Sequence, residues 1–436
     1  MAIPFQIAIS GQGTTGYTLR ATSPGGDIET LIELPVLTND MVTNGEMLGP
    51  VLFPPPVHQL LLEAAHTASE AGNHVQIQLH MALPEVAILP WEWITLGRST
   101  PWQPAIRDDY PLIRVGRITR SRPALPLSGP IRLLIACAPG AAAAAAAPLG
   151  HALAQPVREG RLVVDLLRDA DPFMLREALA EEPCHALHLV AADATGQGST
   201  ARLRLGRALD AAGLAGIIGD YQELRLLTLA ADLGAEAVAL ASIAGAVHDR
   251  LGIATLALGD LDNAGVATFC GPCYEALVAD EPVDLATTDG RAALAEAEDA
   301  WGSPRLWVVP GSEYLFNARM ASVARQSVPA DAVAGEAAPV GKPLRTERTF
   351  AGAGQMASRA LTSAKAFVVG TTTVGEPAQR ARNEAPRKQG FSPKLVALII
   401  AVLVLILLIS QVLPSSTPPP PVPTVVPTSA LPLLEP

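Results

Sequence analysis

Polar and apolar positions change their rhythm three times along this 436-residue chain. Near the start they follow the two-residue period of strands with one buried face, and residues 4–9, 16–21 and 29–34 read as short strands, with Ser23-Pro24-Gly25-Gly26 as a turn signal. Residues 57–71 then switch to helical spacing, with Leu60, Leu61, Ala64 and Ala68 on one face. A strand at 74–79 follows, and residues 87–89 lead into Pro90-Trp91-Glu92-Trp93-Ile94. From residue 131 the strands lose their polar face. Residues 131–136, 162–167, 185–190, 224–229, 253–258 and 306–309 are apolar runs separated by helical stretches. One of those helices has a clear start, because Asp171 caps it and Pro172 takes its first position. The alanine run 141–147 reads as a low-complexity loop or helix lead-in. Strands buried on both faces and alternating with helices predict an α/β fold with a mainly parallel sheet flanked by helices and a small β-rich N-terminal region, its sites at the carboxyl ends of the strands.

The third rhythm is unbroken apolarity. Residues 395–409 are fifteen consecutive Leu, Ile, Val and Ala residues, interrupted only by Ser410 and Gln411 before Val412 and Leu413. Nineteen helical positions span roughly 28 Å, close to the ~30 Å hydrocarbon core of a bilayer. A buried globular helix would keep a polar stripe, so this segment is expected to span a membrane once. Arg380, Arg382, Arg387, Lys388 and Lys394 precede it and no basic residue follows. The positive-inside rule therefore places the long N-terminal part in the cytoplasm and the short tail outside. Pro414 stops the helix, and the tail with Pro418, Pro419, Pro420 and Pro421 is an extended stub. Residues 316–392, rich in Ala, Gly, Thr and Pro, read as a flexible tether with a coil span of roughly 50 Å, with a short helix an option at 355–367. The expected division is a β-rich region at 1–56, an α/β domain at 57–315, a linker at 316–392, a transmembrane helix at 393–413 and a proline-rich tail at 414–436.

Composition narrows the function classes. A net charge of −11 and a pI near 5.3 argue against a nucleic-acid surface, which needs clustered Lys and Arg. Four cysteines, Cys137, Cys184, Cys270 and Cys273, are too few for a disulfide-framed secreted protein of this length, and a reducing compartment is the simpler expectation. The N-terminal MAIPFQIAIS lacks the basic and apolar regions of a signal peptide.

Six segments, in order, resemble one family. Leu89-Pro90-Trp91-Glu92-Trp93-Ile94 is similar to an LPWE signature, and Tyr110-Pro111-Leu112-Ile113-Arg114 to the segment after it. Ile131-Arg132-Leu133-Leu134-Ile135 is similar to the first core strand. Cys273-Tyr274-Glu275-Ala276-Leu277 with Pro282-Val283-Asp284 and Gly290-Arg291-Ala292-Ala293-Leu294 is similar to a late helix pair, and Trp301-Gly302-Ser303-Pro304-Arg305-Leu306-Trp307 to the closing turn and strand. Tyr17-Thr18-Leu19-Arg20 and residues 48–53 also resemble the region found before such domains. Over residues 1–315 the chain resembles the CHAT domain, a caspase-like cysteine-peptidase module of bacteria and eukaryotes. That resemblance implies a histidine base and a cysteine nucleophile at adjacent strand ends, because a thiol is a poor nucleophile until an imidazole takes its proton. In this sequence the first histidine of the family's His motif is matched by His188, but the catalytic one falls on Ala192, between Ala191 and Asp193. The family's Asn-Ala-Cys becomes Ala230-Ala231-Asp232, so the nucleophile position is Asp232. Both chemical groups are missing, which implies a pseudo-peptidase, membrane-anchored in a bacterial inner or plasma membrane. Such a module would bind a protein or peptide partner in the former substrate cleft. His188, four residues before the strand end, reads as a packing residue rather than a substitute base.

The alternative is an active enzyme, either a cysteine peptidase with a relocated nucleophile or a thiol oxidoreductase using Cys270-Gly271-Pro272-Cys273. Against the second, residues 262–269 read as a helix start rather than the strand a thioredoxin motif follows, and Phe269 stands where tryptophan is expected. A helix interrupted by Gly-Pro with two packed cysteines is the plainer reading. Gly11-Gln12-Gly13 and Gly196-Gln197-Gly198 complete no phosphate-binding pattern, Trp91 and Trp93 read as packing residues, Glu29, Glu33, Asp108 and Asp109 read as solvated charges, and the histidines and cysteines lack zinc spacing. No cofactor or metal is expected.

Overall fold

The computed structural model describes residues 2–11, 16–97, 101–232, 236–297 and 300–317, all within one compact unit. The expected linker, transmembrane helix and tail lie outside the described residues. Among the described residues no helix is long and apolar enough to cross a membrane.

Eleven strands form one sheet: β1 (Ala2–Ser10), β2 (Tyr17–Ser23), β3 (Gly26–Ile32), β4 (His74–Met81), β5 (Leu112–Arg114), β6 (Ile131–Cys137), β7 (Leu162–Leu167), β8 (Ala186–Ala191), β9 (Leu226–Ala231), β10 (Ala254–Leu258) and β11 (Pro304–Trp307). Their order is β3-β2-β1-β4-β5-β11-β10-β9-β8-β6-β7, and seven of the ten neighbouring pairs are parallel. The fold is therefore α/β, with a large, mostly parallel sheet. The principal helices are α1 (Met41–Leu52), α2 (Pro55–Glu70), α3 (Ala142–Ala152), α4 (Pro172–Glu181), α5 (Ala211–Ile218), α6 (Ala237–Leu251), α7 (Asn263–Val278) and α8 (Val283–Ala297).

Local chemistry sets several of these boundaries. Asp40, Asp171, Asp210 and Asp262 cap helices by accepting backbone N–H groups of the first turn. β2 and β3 close a hairpin at Ser23↔Gly26, so β3 runs earlier than the expected 29–34 because the turn residues enter the ladder. Residues 84–87 are a helical turn and Trp91–Trp93 a 3-10 turn. Helix α1 has no clean amphipathic signature. It follows from close approach, since a Cβ on Gly45 would sit 1.9 Å from the Trp93 carbonyl oxygen and one on Gly49 2.3 Å from that of Thr95.

The buried apolar residues form two large clusters, which divide near residue 112, and a small third one of Trp93, Ala105 and Trp301. Helix α2 packs on β1, β2 and β3, and β1 pairs in parallel with β4. Phe5, Ile7, Leu19, Leu52, Leu61, Ile77 and Trp91 belong to the first part; β6 to β10 and their helices build the second. Between the two lies β5, only three residues long and joined to β11 at the single register pair Trp307↔Arg114.

A buried ionic cluster sits on that seam. Glu92 is fully buried and receives Arg114 Nε and Nη2, each at 2.7 Å. The Arg114 guanidinium also donates to the carbonyls of Ala87 and Leu89 and lies 5.4 Å from the Trp307 ring centre. Arg305 Nε is 4.0 Å from Glu92. Arg291, fully buried, donates to the carbonyls of Pro304 and Leu112. Glu92 of the LPWE segment thus joins β5 and β11, and Arg291 ties α8 to the same two strands.

Candidate functional site

β8 and β9 are parallel neighbours in the register Ala186↔Leu226 through Ala191↔Ala231. Every residue in both is buried, as expected for strands covered by helices on each side. Ala192 and Asp232 are therefore the first residues beyond two adjacent carboxyl ends, level with one another. The Asp232 N–H donates to the Ala191 carbonyl at 3.0 Å. Its carboxylate accepts from Asn263 Nδ2 at 3.0 Å, which ties it to the first residue of α7. Ala192 donates its N–H to Arg204 at 2.9 Å, and Asp193 pairs with the Arg204 side chain. A small three-stranded sheet, formed by Ala194–Thr195, Arg202–Leu205 and Arg207–Leu209, covers this end of β8.

Sequence reasoning passed over Cys137, the last residue of β6, which pairs with Val190 on the other side of β8. Its position at the end of an apolar run was the available signal. Burial pushes its thiol up to about 12, with Asp232 and Asp169 adding to the rise and Arg168 opposing it. That thiol is protonated at neutral pH and is no nucleophile.

His188 stands deeper, level with Ile135 and Thr228 in the strand register and without solvent exposure. Its Nδ1 is 3.9 Å from Cys270 Sγ, while Nε2 has no hydrogen-bond partner among the described residues. Thr228 and Tyr274 meet beside it, Oγ1 to Oη, at 3.4 Å. Burial lowers the imidazole to about 4 and raises the Cys270 and Cys273 thiols well above their ordinary range. An imidazole and a thiol do meet here, but both are neutral and in the dry core, where desolvation disfavours the thiolate–imidazolium pair. The Cys270-Gly271-Pro272-Cys273 segment lies in the interior of α7, not at a strand-to-helix junction, and all four cysteines are free and buried.

Among the described residues no group of three or more His, Cys, Asp and Glu side chains is placed to hold a metal ion. A cleft of about 440 Å³ lies away from the strand ends, between α7 and α8, with Asp108, Glu275, Glu281 and Asp289 over Pro272, Ala276, Ala279 and Leu285. Burial raises the Asp289 carboxyl, and Asp108 and Glu281 raise it further.

No family model matches the chain, and no curated protein matches it. Among solved structures it is similar to a chain of the Saccharomyces cerevisiae separase–securin complex, at 13% identity and a TM-score of 0.30, over 54% of this chain and 15% of that one.

Proposed function

We propose that this chain is a non-cleaving binding module, a CHAT-like, caspase-like domain that retains the peptidase framework and is tethered to a membrane by residues 393–413. The observation that carries this reading is the pair of strand ends where Ala192 and Asp232 stand level with each other. One offers no functional group, and the other is an acid held by Asn263. A cysteine peptidase needs a thiol and an imidazole within hydrogen-bond reach of each other at an open surface. Here the thiols are buried, and the imidazole beside one of them is shut in with it. The partner is a protein or peptide lodged near these strand ends. The enzyme alternative has no activated thiol to start from.

The test rebuilds the pair. In full-length protein held in detergent, Ala192→His with Asp232→Cys is expected to create a thiol whose alkylation rate rises near neutral pH, at least tenfold faster than in Asp232→Cys alone. The unaltered chain is expected to turn over no member of a fluorogenic peptide library. Peptide cleavage abolished by Cys137→Ala or Cys270→Ala would overturn the proposal. A rebuilt pair with no rate difference would show that the two positions do not share a site.

A further inference from the structure

Residues 311–317 are the last described stretch before the chain continues toward its C-terminus, and a knot of polar side chains holds them to the sheet. Gln76, on β4 and 1% exposed, donates Nε2 to two carboxylates at once: Asp284 Oδ2 at 2.6 Å and Glu313 Oε1 at 3.1 Å. Asp284 is in the first turn of α8 and 2% exposed. Glu313 belongs to the exit segment. Its carboxylate accepts the Gly311 N–H at 2.8 Å and its carbonyl accepts the Val283 N–H at 2.9 Å, so it binds the exit segment to the start of α8 by side chain and backbone. Gln78 Nε2 completes the chain by donating to Gln76 Oε1 at 2.8 Å. Asp284 Oδ1, Gln78 Oε1 and His74 Nε2 are buried without a partner among the described residues.

We propose that Asp284 forms a proton-operated latch on the exit segment: with its carboxyl protonated the segment is clamped to β4 and α8 through Gln76 and Glu313, and with that carboxyl ionised the clamp loosens. Gln76 Nε2 and the Gly311 N–H are weak compensation for two negative charges where Asp284 is buried, and mutual repulsion opposes the contact that holds the exit segment to β4 and α8. The groups facing Asp284 are the Gln76 and Gln78 amides and His74 from β4, and Glu313 from the exit segment. Burial is the leading influence on Asp284 and raises its pKa; Glu313 raises it further, while the Gln76 bond and His74 oppose the rise. The sign follows. A carboxyl whose folded-state pKa is raised favours the folded, clamped form when protonated, and that contribution is lost as pH increases through its titration.

The test is amide hydrogen exchange on the full chain, expressed as protection factors at the Gly311 and Val283 N–H groups from about pH 4 to about pH 8, where raised carboxyls titrate. Protection is expected to fall at least fivefold as pH rises. Asp284→Asn is expected to abolish that step while keeping protection high, because its amide still accepts from Gln76. Should Asp284→Asn fail to fold, Glu313→Gln, at a half-buried position, must flatten the profile on its own. His74→Gln is expected to leave the step in place; if it removes the step, the imidazole is the sensor and the latch is overturned. A step that persists in both carboxyl variants overturns it as well.

Discussion

Glu92 is a charge with no exposed surface, and its environment decides what its loss would do. Burial alone would raise its pKa, but Arg114 first, then Arg305 and Arg291, hold the carboxyl below its ordinary range. Removing one member of a buried pair strands the other, so Glu92→Gln is expected to cost about 3–5 kcal/mol in urea unfolding. A lowered carboxyl contributes stability above its unfolded-state pKa and loses it on acidification, so the Glu92 contribution should fade below about pH 4.5. His188 acts in a higher window. Its imidazole is lowered to about 4, so the unfolded chain takes up a proton first and stability falls between about pH 6.5 and pH 4, by about 3 kcal/mol in all. A pH series of unfolding midpoints for His188→Leu should lack that slope. The sequence flagged both residues, His188 as packing and Glu92 within its motif. The ion cluster could not be read from it, because Arg305 approaches Glu92, and Arg291 adds its charge, from almost two hundred residues away or more.

Helices carry the next set of outcomes. In an exposed helix Gly→Ala gains up to ~1 kcal/mol, yet Gly45→Ala drives a methyl into the Trp93 carbonyl, so we expect a loss of about 3 kcal/mol by thermal or urea unfolding. That inversion is why α1 escaped the periodicity reading: its small residues answer to a neighbouring backbone rather than to an apolar stripe. The start of α7 was legible at Asp262, and so was the placement of Cys270 and Cys273 on a helix. Both thiols are buried, as are those of Cys137 and Cys184, so a chromogenic disulfide reagent should modify none of the four cysteines at neutral pH until denaturant is added. Fast release of one equivalent from the folded chain would restore the oxidoreductase alternative.

At the scale of the molecule, the alternation of apolar runs and helices made the parallel half of the sheet legible, with most strands placed within two residues. The division between the two large apolar clusters near residue 112 was not legible, because a change of hydrophobic rhythm marks a change of exposure rather than the edge of a core. The strand of β11 was legible at 306–309 but its direction, antiparallel to β10, was not, since an apolar run carries no direction. The expected anchor at 393–413 is tested by alkaline extraction: the full chain should stay with membranes, and a chain lacking those residues should not. The place of β11 also bears on synthesis. Residues 304–307 are the last strand of the large sheet to leave the ribosome, yet they lie between β5 and β10, in its middle. The first half of the sheet therefore waits with an open edge and an incomplete arginine cluster until nearly all of the domain has been translated. A truncated nascent chain would offer that edge to chaperones, whereas a chain extended past Trp307 would close it.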